Sequence, residues 1–508
     1  MDSTKRIIVN TVVQYIKAIF TTILSLYSTR LILDALNISD FGIYSVIGGV
    51  IAMLGFITNA LVITTQRYTS FYYGKNNFEM VKAFFSNSLF LHLVISIFLC
   101  AILFSLQHWI INDVLTIPDN RITTANYVYM ITVFMLFLTI LTAPFKALFI
   151  ASENIIYIAV VEMADAIIKL FLAIGLSFIQ VDKLLFYAIM MGVIVFFNLM
   201  AFVVYALTHF KECSIFIKRK DLNTNYLKQL AGFAGWTTYG MGIIAGRNQG
   251  TAIILNHFFG TTINAAYGLA FQMNGAVAFV VTSLMNAISP QIIKAEGNKD
   301  REKMLKLSCM ESKYSVILLS IVTIPIIVDM QEVLSLWLKV VPPYTCLFCQ
   351  FILISFICDQ LTLGLQTANQ AKGDIRDYTL LIYTPKILYL PFIYLLYYYG
   401  YSIKTSMWLF LFIELGVAFL RLAYTHYNIN LNIGAYIKSV IVPQIPLCLS
   451  LISICWLTIA WIDIPYKFIL AYILSIMGGI ITAWFITLDK NERLYINQLI
   501  KKHLACYI

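Results

Sequence analysis

Charged side chains lie inside long apolar segments of this 508-residue chain. The cations are Lys17, Lys169, Arg247, Lys313, Lys386 and Arg421, and the acids are Glu162, Asp165, Glu311, Asp359 and Glu414. Each charge costs about 3 kcal/mol to insert at the centre of a membrane helix. It must therefore pair with an opposite charge, face a wet cavity or bind a ligand. The cations suit an anion such as phosphate, and the acids suit a coupling cation or a proton.

Arg247 lies midway along an apolar segment, within the glycine-rich sequence GMGIIAGRNQGT. Glycines weaken a helix and permit close approach of backbones, and interrupted helices at membrane depth often mark binding sites. Arg247, Asn248 and Gln249 together can present guanidinium and amide donors to phosphate oxygens. We predict that these three residues contact the substrate. An internal ion pair of Arg247 is the alternative.

A polar stripe follows the first apolar segment. It consists of Asn10, Gln14, Lys17, Thr21, Ser25 and Ser28, whose spacing of three or four places them on one side of a helix. We predict that Gln14 and Lys17 line a wet cavity, with helix–helix contact through small polar residues as the alternative. Gln272 lies among small residues in a later segment, where cavity lining and tight packing are both open.

The acids offer two interpretations. Asp165 and Lys169 are four residues apart and Glu162 shares their helix face, which fits either a structural ion pair or a coupling-ion site. Asp359 and Glu414 are the other candidates for binding a coupling ion. Both Na⁺ and H⁺ are compatible with these residues as the coupling ion. We expect no metal site and no organic cofactor.

Catalytic signatures are missing from the sequence. It has no DxD metal motif and no Walker-type phosphate loop. Its CxxC pair, Cys346 and Cys349, has no histidine or second pair nearby, so chance spacing explains it. We therefore expect that the protein is not an enzyme.

The elements that must position these groups are membrane helices. Hydrophobic residues make up 60% of the chain and charged residues 12%, against about 25% charged in soluble domains. The sequence predicts an all-α polytopic membrane protein with about 14 transmembrane helices, each long enough to cross roughly 30 Å of hydrocarbon. They are 7–33, 41–64, 83–106, 123–145, 154–180, 184–208, 229–255, 264–288, 307–328, 343–368, 377–400, 405–425, 436–461 and 466–487.

The loops give the orientation. Lysine and arginine concentrate in loops that share a side with the N-terminus, most densely around 211–228 and 294–306. Cytoplasmic loops carry this excess, so both termini are predicted to be cytoplasmic. The net charge of +10 is then a topology signal, and we expect no nucleic-acid partner.

An internal repeat organises the chain. FGIYSVIGGV at 41–50 aligns with NAAYGLAFQM at 264–273, an offset of 223 positions that also pairs Gly74 with Gly297. Such parallel repeats build alternating-access transporters. We predict two six-helix lobes related by this repeat plus two C-terminal helices. The domains are an N-lobe (1–210), a basic connector (211–228), a C-lobe (229–426), helices 13 and 14 (435–488) and an amphipathic tail (489–508).

Several segments resemble a known family. STRLILDALNISDFGIYSVIGGV, TTQRYTSFYYGK, FAGWTTYGMGIIAGRNQGTAIILNHFFGTTINAAYGLAFQMNGAV and NAISPQIIKAEGNKD resemble bacterial oligosaccharide and O-antigen flippases of the polysaccharide transport family. This family belongs to the multidrug/oligosaccharidyl-lipid/polysaccharide exporter superfamily. The resemblance covers nearly the whole chain in order, although its motifs are diffuse. It implies two six-helix lobes around a central cavity, and a cationic cavity to which Arg247, Lys313, Lys386 and Arg421 would contribute.

The resemblance also implies an activity. It is translocation of an undecaprenyl-diphosphate-linked oligosaccharide from the cytoplasmic to the periplasmic leaflet, for surface polysaccharide biosynthesis. The expected partners are this lipid-linked oligosaccharide, membrane lipids and a polysaccharide polymerase, and the expected location is the bacterial cytoplasmic (inner) membrane. A monomer is expected because both lobes lie in one chain. A cation-coupled multidrug antiporter of the same superfamily is the alternative, and a membrane glycan polymerase or ligase is a third interpretation.

Overall fold

Helices joined by turns and short irregular segments make up the described part of the chain. The computed structural model describes residues 3–52, 54–115, 117–214, 222–338, 341–461, 467–490 and 492–493, and contains no strand within them. The all-α prediction is therefore confirmed. Lipid cannot satisfy backbone N–H and C=O groups, whereas a helix satisfies them internally. Residues 215–221 of the predicted connector, and 491 and 494–508 of the predicted tail, lie outside the described residues.

The chain divides into two compact units. The N-unit contains residues 8–241 and 294–299, and the C-unit contains residues 1–7, 242–293 and 300–508. Helices that lie wholly or partly in the N-unit are α1 (Ser3–Ala52), α2 (Gly55–Gly74), α3 (Phe78–Trp109), α4 (Ile122–Ala151), α5 (Ile155–Gly175), α6 (Lys183–His209), α7 (Thr224–Phe259) and α8 (Thr261–Gly297). Asn37 interrupts α1 with φ 67° and ψ 161°.

The C-unit contains most of α8 and the later helices. They are α9 (Arg301–Val328), α10 (Met330–Trp337), α11 (Thr345–Gln360), α12 (Leu363–Lys372), α13 (Arg376–Ile387), α14 (Tyr389–Tyr398), α15 (Ile403–Ile429), α16 (Ile433–Tyr436), α17 (Gln444–Trp461) and α18 (Lys467–Thr482). α9 packs against α12, α11 and α17, and α15 packs against α11 and α13. These contacts position the charged side chains of the unit.

The helices are those of a multi-span membrane protein. Among the described residues, ten helical segments are long and apolar enough to cross a membrane, and the pair α11 and α12, bent by 47°, would be an eleventh. Large apolar side chains such as Phe197, Phe412 and Phe419 are exposed on them. Such exposure is normal where lipid is the solvent.

Three of the fourteen predicted segments are helical but are not among these ten: 41–64, 154–180 and 229–255. The first is divided between α1 and α2. The second, α5, carries Glu162, Asp165 and Lys169, and the third, α7, carries the polar sequence GRNQGT. These polar and charged residues distinguish α5 and α7 from the ten membrane-crossing segments.

The connection between α2 and α3 has the same turn as the connection between α8 and α9. Asn76 and Lys299 both have a positive φ, of 52° and 61°. The next residues, Asn77 and Asp300, each accept a hydrogen bond from the backbone N–H three residues further on, at 3.1 and 3.0 Å. These side chains cap the helices that follow. Both pairs of positions are 223 residues apart, as in the sequence repeat.

The ends of α2 and α8 cross in the N-unit at two glycines. A Cβ on Gly74 would overlap the backbone of Lys294, and a Cβ on Gly297 would overlap the backbone of Phe71. Lys294 also forms an ion pair with Glu153, at 2.5 Å between Nζ and Oε1. Because neither glycine has a side chain, the two backbones touch.

Arg121 ties three helices of the N-unit together. Its guanidinium forms ion pairs with Asp40 of α1 and with Asp182, which precedes α6. Asp182 also accepts hydrogen bonds from Thr124 of α4, at 3.0 Å, and from the first amides of α6. Burial raises the pKa of Asp182, but the hydrogen bonds from Thr124 and the Leu185 amide and the charge of Arg121 outweigh burial, and the pKa is held below its usual value.

We expect Gly74→Ala and Gly297→Ala each to destabilise the protein, because the added methyl group meets backbone that cannot move aside. The free energy of unfolding should fall by about 1–3 kcal/mol, measured as a lower melting temperature in detergent. Gly268→Ala in α8 is the matched control, since nothing lies near its Cβ position. Equal melting temperatures for all three variants would contradict the close crossing.

Candidate functional site

A polar cavity of about 690 Å³ lies within the N-unit. It is lined by α1, α2, α4, α5 and α6, and its charged lining residues are Lys17, Lys146, Lys169, Glu162 and Asp165. Thr21, Ser25 and Ser28 of the α1 stripe also line it. The stripe thus faces the cavity with Lys17. Gln14 is buried and does not contribute to this lining.

Glu162 of α5 is shared by two lysines. Its Oε2 accepts a hydrogen bond from Lys17 Nζ at 2.7 Å, and its Oε1 accepts one from Lys146 Nζ at 2.9 Å. The three residues come from α1, α4 and α5, so one carboxylate joins three helices. These are charge-assisted hydrogen bonds, the stronger kind.

Asp165 and Lys169 form the pair that their spacing suggests. Lys169 Nζ lies 2.7 Å from Asp165 Oδ2, and Asn198 of α6 donates a hydrogen bond to Oδ1 at 2.6 Å. Glu162 shares the helix face but takes its cations from other helices. The predicted trio is therefore a pair plus a separate three-residue bridge.

Lys146 and Asn198 were missed by the sequence reasoning. Lys146 directly follows the predicted segment 123–145, but α4 continues to Ala151 and carries Lys146 into the cavity wall. Asn198 is a polar residue within an apolar helix, which is a recognisable signal. Among the described lining residues, three lysines face two carboxylates, so the cavity has one surplus positive charge.

A second charged cluster is buried in the C-unit, and we call it the C-unit network. It consists of Arg247 (α7), Asp359 (α11), Lys386 (α13), Glu414 and Arg421 (α15). Glu414 is shared by Arg247, whose Nη1 contacts Oε1, and by Lys386, whose Nζ lies 2.8 Å from Oε2. Only 5% of the Glu414 side chain is exposed, so both pairs are shielded from water.

Asp359 links the rest of the C-unit network. Its Oδ1 lies 3.0 Å from Arg421 Nη2 and 3.8 Å from Lys386 Nζ. Arg421 also donates to Thr362 Oγ1 at 3.0 Å. Asp359 is the most accessible member, with 25% of its side chain exposed. In the described residues the network has three cations and two carboxylates, again a surplus of one positive charge.

Arg247 therefore forms the internal ion pair that was its alternative interpretation. Its guanidinium also lies 4.6 Å from the ring centroid of Phe410, a cation–π distance. The Oδ1 atom of Asn248 is 3.4 Å from Arg247 Nε, and Gln249 is exposed. Substrate contact by these three residues stays a prediction.

Two other predicted residues lie apart from the C-unit network. Lys313 of α9 pairs with Glu492, at 2.7 Å, and with Asp489, at 3.6 Å. Gln272 of α8 is exposed. Among the residues that the structure describes, no group of three or more His, Cys, Asp or Glu side chains is placed to hold a metal ion.

The arrangement favours anions over cations. Both oxygens of Glu162 and of Glu414 already accept ammonium or guanidinium groups, so a cation entering either cluster would have to displace a tethered one. An anion would instead meet surplus positive charge and N–H donors. In the N-unit it would also meet the hydroxyl groups that line the cavity.

Comparison with solved structures gives the fold family. A MOP superfamily transporter from Pyrococcus furiosus is 11% identical and superposes with a TM-score of 0.72, over 85% of this chain and 96% of that one. A mutant MATE transporter of Vibrio cholerae is 16% identical, with a TM-score of 0.71 over 85% and 98%. An outward-facing multidrug resistance MATE transporter is 11% identical, with a TM-score of 0.72 over 85% and 96%. The chain therefore has the MATE/MOP transporter fold. No protein-family model and no curated protein matches it.

We expect Glu414→Gln to destabilise the protein strongly, because Arg247 and Lys386 lose the carboxylate that they share. Breaking a buried ion pair from one side costs about 3–5 kcal/mol, which a melting curve in detergent would show. The double variant Arg247→Met/Glu414→Leu removes an opposite-charge pair together. It should recover part of the loss, because no unpaired Arg247 is left, while Lys386 keeps Asp359 at 3.8 Å.

Glu302→Gln is the control for this series, since Glu302 is an exposed residue in the first turn of α9. It should change the free energy of unfolding by less than about 0.5 kcal/mol. A wild-type melting temperature for Glu414→Gln would show that the pairs of Glu414 do not stabilise the fold.

Proposed function

We propose that this protein is a flippase that carries a lipid-linked oligosaccharide across the membrane by alternating access. The cargo would be an undecaprenyl-diphosphate-linked oligosaccharide, moved from the cytoplasmic to the periplasmic leaflet for surface polysaccharide biosynthesis. The transporter fold supports movement of a cargo rather than catalysis. The sequence resemblance supports the class of cargo.

The observation that carries the proposal is the surplus positive charge. Three lysines against two carboxylates line the described N-unit cavity, and three cations against two carboxylates form the C-unit network. A diphosphate loses its hydration when it leaves water, and that loss is offset only by hydrogen bonds and opposite charge. The hydroxyl groups of Thr21, Ser25 and Ser28 suit sugar hydroxyls in the same cavity.

The membrane potential would assist this direction of movement. If negative charge moves outward across a membrane that is negative inside, the gain is about 2.3 kcal/mol per charge per 100 mV. A coupling ion would add to it, with H⁺ or Na⁺ as the candidates. Glu162, Asp165, Asp359 and Glu414 are the candidate ion-coupling residues of the proposal, although each one holds a lysine or an arginine.

The cellular setting belongs to the same proposal. The protein would lie in the bacterial inner membrane with both termini cytoplasmic, residues 1–210 and 229–426 acting as the two lobes. It would work as a monomer, supplying glycan to a polysaccharide polymerase.

A cation-coupled multidrug antiporter is the second candidate, and the multidrug transporters among the structural neighbours favour it. A cationic drug needs an accessible carboxylate or an apolar cavity, and the carboxylates here are shared by lysines and arginines. A drug-susceptibility panel on a deletion strain tests this candidate directly. A glycan polymerase or ligase is the third candidate, and the transporter fold argues against it.

We expect deletion of the gene to leave lipid-linked oligosaccharide inaccessible to a sugar-modifying reagent added to the periplasm, and the wild-type protein to restore access. Lys17→Gln and Lys146→Gln should each lower the restored access about tenfold or more, the effect of losing one charged hydrogen bond. Each variant leaves Glu162 paired with the other lysine. The fold should therefore survive while the surplus charge is lost.

Lys82→Gln, at an exposed lysine of α3, is the matched control and should restore access fully. The double variant Arg247→Met/Glu414→Leu tests the predicted contact of Arg247 with the diphosphate. A folded, active double variant contradicts that contact, and it equally contradicts ion coupling through Glu414. Unchanged sidedness in the deletion strain, with no redundant flippase present, would reject the flippase function.

A further inference from the structure

Glu311 is an acidic residue within a membrane-crossing helix, and it forms no ion pair with the described residues. It lies in α9, which belongs to the C-unit and is among the membrane-crossing helices, about 15 Å from the helix start at 1.5 Å per residue. The residue is 0% exposed. The other four in-span acids, Glu162, Asp165, Asp359 and Glu414, each contact a lysine or an arginine. Glu311 differs from all of them.

The contacts of Glu311 are neutral. Ser289 of α8 donates a hydrogen bond to Oε1 at 2.7 Å, and the hydroxyl of Thr367 of α12 faces the same carboxyl group. Within the described chain, no donor reaches Oε2 and no lysine or arginine pairs with Glu311. Ser308 and Ser315, three residues before and four residues after Glu311 on the same face of α9, are buried as well.

Charged and titratable groups on the neighbouring elements are directed elsewhere. Lys313, on α9 itself, pairs with Glu492 and Asp489. On α11 and α15, Asp359 and Arg421 pair with each other. Tyr436, which ends α16, faces Glu311 but donates its hydroxyl to the carbonyl oxygen of Leu361. Tyr314 on α9 donates to Glu492, and Lys372 on α12 donates to Asn428. The thiols on these helices include Cys309, Cys358 and Cys448, and none of them is a cation.

An isolated carboxylate in such a place is far more costly than the neutral acid. Transfer of an unpaired ionised carboxyl group into an apolar interior costs many times more than transfer of a hydrogen-bonded neutral one, and the group takes up a proton instead. The neutral acid also has an O–H donor. Ionisable residues inside membrane helices that lack an ion-pair partner are often sites of proton relays.

We propose that Glu311 is a proton-binding site of the C-unit, and that this carboxyl group, rather than the four paired acids, exchanges the coupling ion. In the observed conformation its carboxyl group holds one proton. When water reaches the group, the proton passes to a water molecule and leaves a carboxylate, and uptake from water on the other side restores the acid. The assignment of a bound proton depends only on the burial and the neutral contacts of Glu311. Its coupling to cargo movement rests on the proposed flippase function.

The bound proton can be tested without any substrate. Infrared difference spectra of the purified full-length protein in detergent, recorded over a pH titration in D₂O, report the C=O stretch of a protonated carboxylic acid. We expect such a band at neutral pH in the wild type, lost in Glu311→Gln and kept in Glu302→Gln. Glu311→Asp, which keeps the acid, should keep a shifted band.

Three outcomes would overturn the proton site. They are a wild-type spectrum with no such band at neutral pH, a band that persists in Glu311→Gln, and a band that disappears when Na⁺ replaces K⁺ in the buffer. The last outcome would mean that Glu311 binds a sodium ion in place of the proton. The wild-type titration and the Glu311→Asp variant keep the test valid if Glu311→Gln does not fold.

Coupling needs a second measurement. In the leaflet assay, an ionophore that exchanges K⁺ for H⁺ collapses the pH gradient and leaves the membrane potential. It should lower the accessible glycan in cells with wild-type protein, and Glu311→Gln should be insensitive to it while Glu302→Gln behaves as wild type. Wild-type activity with unchanged sensitivity to this ionophore in Glu311→Gln would refute coupling through Glu311. No wild-type activity at all, with the infrared band intact, would reject the flippase function and leave the proton site standing.

Discussion

Lipid offers no partner for a charge, and the placement of the helices depends on this constraint. The structure meets it in both units with the same device, a carboxylate shared by two cations. Glu162 holds Lys17 and Lys146 in the N-unit, and Glu414 holds Arg247 and Lys386 in the C-unit. Each shared carboxylate joins three helices. The charges thus specify which helices must pack together, as well as what the protein can bind.

Sharing one carboxylate between two cations leaves a net positive charge. Every such bridge stabilises both cations but leaves one positive charge in excess, and the further pairs Asp165–Lys169 and Asp359–Arg421 are balanced. The excess is therefore built into the packing and cannot be relaxed by moving a side chain. A phosphate group would complete the charge balance of such a cluster, whereas a cationic cargo would worsen it. The same excess of positive charge supports the anionic cargo of the proposed function.

The sequence predicts much of this fold and part of its chemistry. Composition and apolar length predict the helices because lipid imposes one solution on the backbone, and the i,i+4 spacing of Asp165 and Lys169 predicts their pair. Partners that lie far apart in sequence could not be predicted. Lys17 and Glu162 are separated by 145 residues, and Arg247 and Glu414 by 167. Which residues pair therefore depends on how whole helices pack against each other. Lys146 was missed because a charged residue near a span end resembles a loop residue.

The glycine crossing in the N-unit has a consequence for how this protein can diverge. Positions that match across an internal repeat usually drift independently, because each faces its own neighbours. Gly74 and Gly297 instead lie against each other's helices, each excluded from carrying a side chain by the backbone of the other segment. Selection on one position is therefore linked to selection on the other. A larger residue at either position would push the two backbones apart, and the other position would then have room for a side chain. In homologous chains we expect the two glycines to be retained together or lost together.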